Sequence, residues 1–121
     1  MPIGPDLIGH LEAGLKGTTL RQALIANNLA NLDTPGFRRS DARFESALAE
    51  AIADGKPVDL DDTESWIDVP GTTPVAANGN DVDLDMEVGE MVKNISVYKT
   101  YVRLLNRSYR QFDMAMRDNL A

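Results

Sequence analysis

The chain contains no cysteine, which removes disulfides, thiolate metal sites and cysteine nucleophiles together. It has one histidine, His10, so a His-based zinc site or a Ser–His–Asp constellation has no local support. His10 reads as a surface residue of an early helix. Aromatic residues make up only 6% of the sequence, so large apolar payload is scarce and partner surfaces are expected to supply part of the burial. No apolar run approaches the ~18 residues of a membrane span. The first residues, MPIGPDLIGHLEAGLKG, lack the basic start and unbroken apolar stretch of a cleavable signal peptide.

Positive charge is almost missing from the middle of the chain. Residues 54–90 hold Lys56 against eleven acids, whereas residues 91–121 hold six basic side chains and two acids. The net charge of −7 therefore reflects an acidic centre between a near-neutral start and a basic end. Such a balance is a poor basis for nucleic-acid binding, which rests on phosphate neutralisation. The 121 residues allow a single domain, 1–121, of ordinary size.

What is present is helical periodicity. Leu84, Val88, Met91, Ile95, Tyr98, Val102, Leu105, Tyr109, Phe112 and Met116 recur at alternating spacings of four and three. Ten successive positions of a 3.5-residue repeat are apolar or aromatic, the signature of a coiled-coil-like seam. The expected helix covers 83–119, and 84–116 alone would span about 50 Å. Asp81, Asp83, Asp85 and Glu87 surround its first turn, where carboxylates cap free N–H groups and face the positive end of the helix dipole. Val92 and Tyr101 lie beside the seam and widen it.

A second helix is expected over 6–32, carried by Leu7, Ile8, Leu11, Leu15, Leu20, Leu24, Ile25, Leu29 and Leu32. Gly14 and Gly17 weaken its middle by roughly 1 kcal/mol each relative to alanine. A short third helix is expected over 41–53, capped by Ser40 or Asp41, with Phe44, Leu48 and Ile52 on one face and Asp54-Gly55 at its end. Within residues 33–82, the stretch 54–82 reads as an acidic, mobile, irregular loop, in which Trp66–Val69 alternates like a brief strand. The fold class is therefore all-α: long N- and C-terminal helices packed as an antiparallel coiled-coil-like pair, a short third helix and an acidic irregular loop.

Asn27, Asn28 and Asn31 are poor choices for a solvent-facing helix interior, because their side chains compete for backbone bonds. Their clustering points to hydrogen bonding across a helix–helix contact; a plain helix end with incidental asparagines is the alternative. Thr34-Pro35-Gly36 then makes a turn before Phe37. The alternating acids of NGNDVDLDMEV fail as an EF-hand loop, since Met86 stands at the required glycine and Val92 at the bidentate acid. No metal, cofactor, small-molecule substrate or catalytic residue is expected; the loop acids lack aromatic surroundings that would raise a pKa.

ANNLANLDTPGF (26–37), followed by RRSDARFESAL (38–48), resembles the N-terminal signature of flagellar axial proteins. NGNDVDLDMEVGEMVKNISVYKTYVRLLNRSYRQFDMAM (78–116) narrows the resemblance to the basal-body rod protein family, on the proximal side of the rod. Phe37 stands where that family usually has tyrosine, and residues 49–77 carry no resemblance. The resemblance implies a non-enzymatic subunit that self- and co-assembles through its terminal helices to transmit torque. It also implies passage through the flagellar type III export apparatus without a cleaved signal, and a periplasmic place in the basal body. The implied partners are other rod subunits, the rod adaptor FliE and the junction of membrane ring and export gate. From pattern alone a closed intramolecular hairpin competes for the seam. The rival function is a soluble helical adaptor that binds one partner helix without polymerising.

Overall fold

The computed structural model describes residues 5–120. In chain order these form α1 (Pro5–Ala30), β1 (Asp41–Ala42), α2 (Phe44–Asp54), a 3-10 turn (Thr63–Trp66), β2 (Ile67–Asp68) and α3 (Leu84–Leu120). The molecule is mostly helical, with α1 and α3 packed together and an irregular connection between them.

Helix α1 stops at Ala30, two residues before the expected end. The Asn31 N–H is shared between the carbonyls of Asn27 and Asn28 (3.2 and 3.1 Å), and its side-chain Nδ2 donates to the Asn27 carbonyl at 2.8 Å. These bonds tighten the last turn and satisfy carbonyls that a continuing helix would have used.

Helix α2 begins at Phe44 rather than 41, and neither expected cap is used. Asp41 and Ala42 form β1 instead, paired antiparallel with β2 so that Asp41 faces Asp68 and Ala42 faces Ile67. Two carboxylates directly opposite would repel. Arg21 Nε lies 3.4 Å from Asp41, and Arg43 Nε lies 2.8 Å from Asp68, so each charge is countered. The far end of α2 is as expected: Gly55 adopts φ 64° and its N–H turns back onto the helix. The expected face is only partly buried, since Phe44 is in the core while Ile52 is 56% exposed. The acidic stretch is not structureless, because the 3-10 turn and β2 lie within it.

Phe44, Trp66 and Ala42 form the apolar core, with Leu20, Leu24, Ala47, Val58, Leu60 and Tyr101 packed around it. The Phe44 and Trp66 rings are 6.2 Å apart and inclined at 48°. Arg21 lays its guanidinium 4.8 Å above the Phe44 ring. It also donates to both carboxylate oxygens of Glu45 (2.6 and 2.7 Å) and to the Ala42 carbonyl, joining α1 to α2. Burial tends to lower its pKa, but Glu45 and Asp41 together raise it, so the guanidinium stays charged.

The two helix glycines read from sequence as weak points are where other elements approach α1. A Cβ at Gly14 would clash with the Tyr101 ring of α3, 2.2 Å from its nearest carbon, and one at Gly17 with the Phe44 ring of α2, at 2.1 Å. Both glycines are buried. Their missing side chains allow close packing, and the propensity cost is offset by that contact.

Candidate functional site

Helix α3, 37 residues long, extends about 55 Å. The line it lays against α1 consists of Glu87, Asn94, Tyr101 and Ser108, each seven residues from the next; three are buried and Tyr101 is half-buried. Facing them on α1 are Gly14, Thr18 and Asn28, all buried. Asn94 Nδ2 donates to the Thr18 carbonyl (2.8 Å) and to Gln22 Oε1 (3.1 Å). Further along, Tyr109 Oη donates to Glu12 Oε1 at 2.8 Å. This hydrogen bond, with lesser contributions from burial and the Glu12 charge, raises the Tyr109 phenol above its ordinary value. The intramolecular contact of α3 is thus a polar and small-residue stripe at heptad spacing. An apolar-seam search passes over it, and the seven-residue recurrence of Glu, Asn, Tyr and Ser was the signal available.

At one end of this pair the two sequence signatures meet. Asn28, fully buried, donates through Nδ2 to the Ser40 carbonyl (2.9 Å) and to Glu87 Oε2 (3.2 Å), and its Oδ1 accepts the Ser40 N–H at 3.0 Å. Arg39 Nε lies 2.5 Å from Glu87 Oε1. Asp81 Oδ1 accepts the Arg39 backbone N–H at 2.7 Å, and its Oδ2 stands at ion-pair distance, 3.6 Å, from Arg38. Asn80 Nδ2 donates to the Asn31 and Thr34 carbonyls, both at 2.8 Å, while its Oδ1 accepts the Val82 N–H at 2.8 Å. Backbone bonds from Gly36 to Asn78 (2.9 Å) and from Asp81 to Phe37 (3.3 Å) close the join. Gly36 and Gly79 have φ of 73° and 85°, and a Cβ on Gly79 would approach the Gly36 Cα to 3.3 Å. The loops therefore form a clasp whose backbone approach requires glycine.

The clasp revises several expectations. Of the three asparagine side chains, only that of Asn28 reaches α3; Asn27 is exposed and the Asn31 side chain bonds locally to Asn27 and Thr34. Thr34, Pro35 and Gly36 are exposed and Phe37 is half-buried. Of the acids around the start of α3, Asp83 acts as a cap, its Oδ1 accepting the Met86 N–H at 3.1 Å. Asp81 and Glu87 are instead buried and matched to arginines, because the neighbouring loop brings Arg38 and Arg39 to them. His10 is not a plain surface residue: it is half-buried, and its Nε2 is enclosed without a hydrogen-bond partner.

The ten seam positions lie beside the docked stripe. Met91, Val102 and Leu105 are half-covered. Leu84, Val88, Ile95, Tyr98, Tyr109, Phe112 and Met116 are 41–51% exposed, and every residue from Tyr109 to Leu120 is exposed. Val92, at 60%, extends this face, whereas Tyr101 belongs to the docked side. Where α1 and α3 meet, Thr18, Thr19, Gln22, Asn94, Ile95 and Tyr98 enclose a shallow groove of about 310 Å³. No helix is long and apolar enough to cross a membrane among the described residues.

A locked helix pair carrying a long uncovered apolar face defines a helical structural subunit. Comparison with known proteins agrees. Residues 9–38 match the family described as flagella basal body rod protein. The chain is 35% identical over 118 residues to the flagellar basal body rod protein FlgB of Bacillus subtilis (strain 168), covering 90% of this chain and 92% of that one. It is 32% identical over 109 residues to the FlgB of Aeromonas hydrophila, covering 81% and 83%. With the FlgB of Borreliella burgdorferi it shares 29% over 117 residues, covering 82% and 87%. The chain belongs to the FlgB family of flagellar basal body rod proteins.

Proposed function

We propose that the chain is a proximal-rod subunit that transmits torque by packing the apolar face of α3 against neighbouring subunits. The observation that carries this reading is the exposure of Phe112 and Met116, at 42% and 51%, on a helix whose intramolecular contact uses a different stripe. Burying one such side chain contributes roughly 1.5–3 kcal/mol, so a row of them supports a firm assembly. Contacts between unlike surfaces that do not close into a ring build a helical shaft.

The finer assignments rest on the family. The partners are other rod subunits, the adaptor FliE and the junction of membrane ring and export gate. The route is the flagellar type III export apparatus, without a cleaved signal, to a periplasmic location. The role is mechanical rather than catalytic, a reading supported by the engagement of the buried acids Asp81 and Glu87 with Arg38 and Arg39.

The test is Phe112→Asp in the native bacterium, with basal bodies purified and immunoblotted for this chain. Phe112 is a sharper probe than Leu105, which is half-covered within its own subunit. The wild-type chain is expected in basal bodies, and the variant is expected to be made in normal amount but absent from them, with motility lost. Normal swimming and intact rods in the variant would refute the seam assignment.

A further inference from the structure

The uncovered face of α3 carries more than one kind of surface. Near its middle, Ile95 and Tyr98 rim the groove against α1, and each is 41% exposed. Behind them Asn94 is buried, with an Oδ1 that has no hydrogen-bond partner. Near the distal end, Phe112 and Met116 project from a stretch of helix in which every residue is exposed. The two places are a hollow and a pair of protruding side chains on one molecule.

They are also in phase. From Ile95 to Phe112, and from Tyr98 to Met116, are five steps of the same alternating four-and-three spacing. A helix keeps one face toward a partner over such a repeat. A parallel neighbour displaced by five steps therefore presents its distal residues on the side that meets the groove. Five steps of 3.5 residues at 1.5 Å each give an axial displacement of about 26 Å.

Charge selects the displaced arrangement over the aligned one. Residues 81–90 contain five acids and no basic residue, and Asp83, Asp85 and Glu90 are not held in the buried ion pairs. Lys99, Arg103, Arg107 and Arg110 follow on the same helix. Aligned parallel copies would set acidic starts side by side and basic halves side by side. A displacement of 17 or 18 residues sets the acidic start of one copy beside the Arg103–Arg107 region of the next, where unlike charges attract and like charges are kept apart.

We propose that the occupant of the groove is a second copy of this chain, with Phe112 and Met116 of one subunit seated on Ile95 and Tyr98 of its neighbour. This inference rests on the rod-subunit reading and adds to it the pairing and the offset. Groove and protruding pair are different surfaces, so each subunit keeps a free groove at one level and a free tip at another. The contact propagates instead of closing.

Because the chain has no cysteine, single substitutions report pairing without background. Ile95→Cys and Phe112→Cys, carried on differently tagged copies in the native bacterium, are oxidised in place and basal bodies are isolated. A second pair, Tyr98→Cys with Met116→Cys, covers failure of the first to assemble. The expected result is a mixed-tag dimer in at least one pair, several-fold more abundant than same-site dimers. Recovery of both pairs in basal bodies without mixed-tag dimers, or with Ile95→Cys copies linked mainly to each other, overturns the offset and leaves the rod-subunit reading standing. Absence of the wild-type chain from basal bodies removes that reading and this inference with it.

Discussion

Arg39 and Glu87 meet at 2.5 Å with their side chains almost wholly withdrawn from water, one on the loop after α1 and one on the first turns of α3. Asn28 completes the arrangement from α1 by donating to the other Glu87 oxygen. Opposite charges buried together offset each other's desolvation only while both are present. Glu87→Leu is therefore expected to lower stability by about 3–5 kcal/mol, because it leaves Arg39 buried and unpaired. The double variant Glu87→Leu, Arg39→Leu should be less destabilised than the sum of the two single changes. Urea unfolding of the purified chain measures both. A loss below about 1 kcal/mol for Glu87→Leu would show that the clasp does not hold the helix pair.

Glycine-to-alanine changes should have opposite signs within one helix. At Gly9 a Cβ meets open space, so Gly9→Ala is expected to stabilise α1 by up to about 1 kcal/mol through helix propensity. At Gly14 the added methyl would come to 2.2 Å from the Tyr101 ring, well inside van der Waals contact. Gly14→Ala should destabilise the chain, since forcing extra volume into a packed contact costs about 1–3 kcal/mol and outweighs the propensity gain. Thermal unfolding of the two variants beside the wild type decides the matter. Stabilisation by both would mean that Tyr101 does not pack on Gly14.

Alkaline pH should loosen the helix pair through Tyr101. Burial raises its phenol pKa, the Glu45 charge raises it further, and Arg21 opposes both. A pKa raised on folding means that the folded state holds its proton more tightly. The corresponding stability is fully present below the unfolded value of about 10 and is lost as pH rises through the folded one. The unfolding temperature should therefore fall as pH rises above about 10, and less steeply in Tyr101→Phe. Tyr109 is also raised, by its bond to Glu12, so the comparison is made in a Tyr109→Phe background. Equal slopes with and without the Tyr101 hydroxyl would contradict this assignment.

The sequence alone determined the two long helices, because α3 and α1 repeat apolar residues at helical spacing over many turns and local periodicity is a property of neighbouring residues. It also determined the family, through two signatures, 26–48 and 78–116, and the glycine end of α2, through the αL conformation that Gly55 accepts. Only the tertiary structure decided which face of α3 meets α1. An apolar count favours the seam, but helices are drawn together here by Glu87 and Asn94, whose partners Arg39, Asn28, Thr18 and Gln22 lie far away in the chain. The seven-residue recurrence of Glu87, Asn94, Tyr101 and Ser108 is visible in the sequence, but which distant groups they meet is not. The same holds for Gly14 and Gly17, which read as weak points until Tyr101 and Phe44 are seen against them. With the polar stripe committed inside the subunit, most of the apolar seam is left facing outward, available to a neighbour.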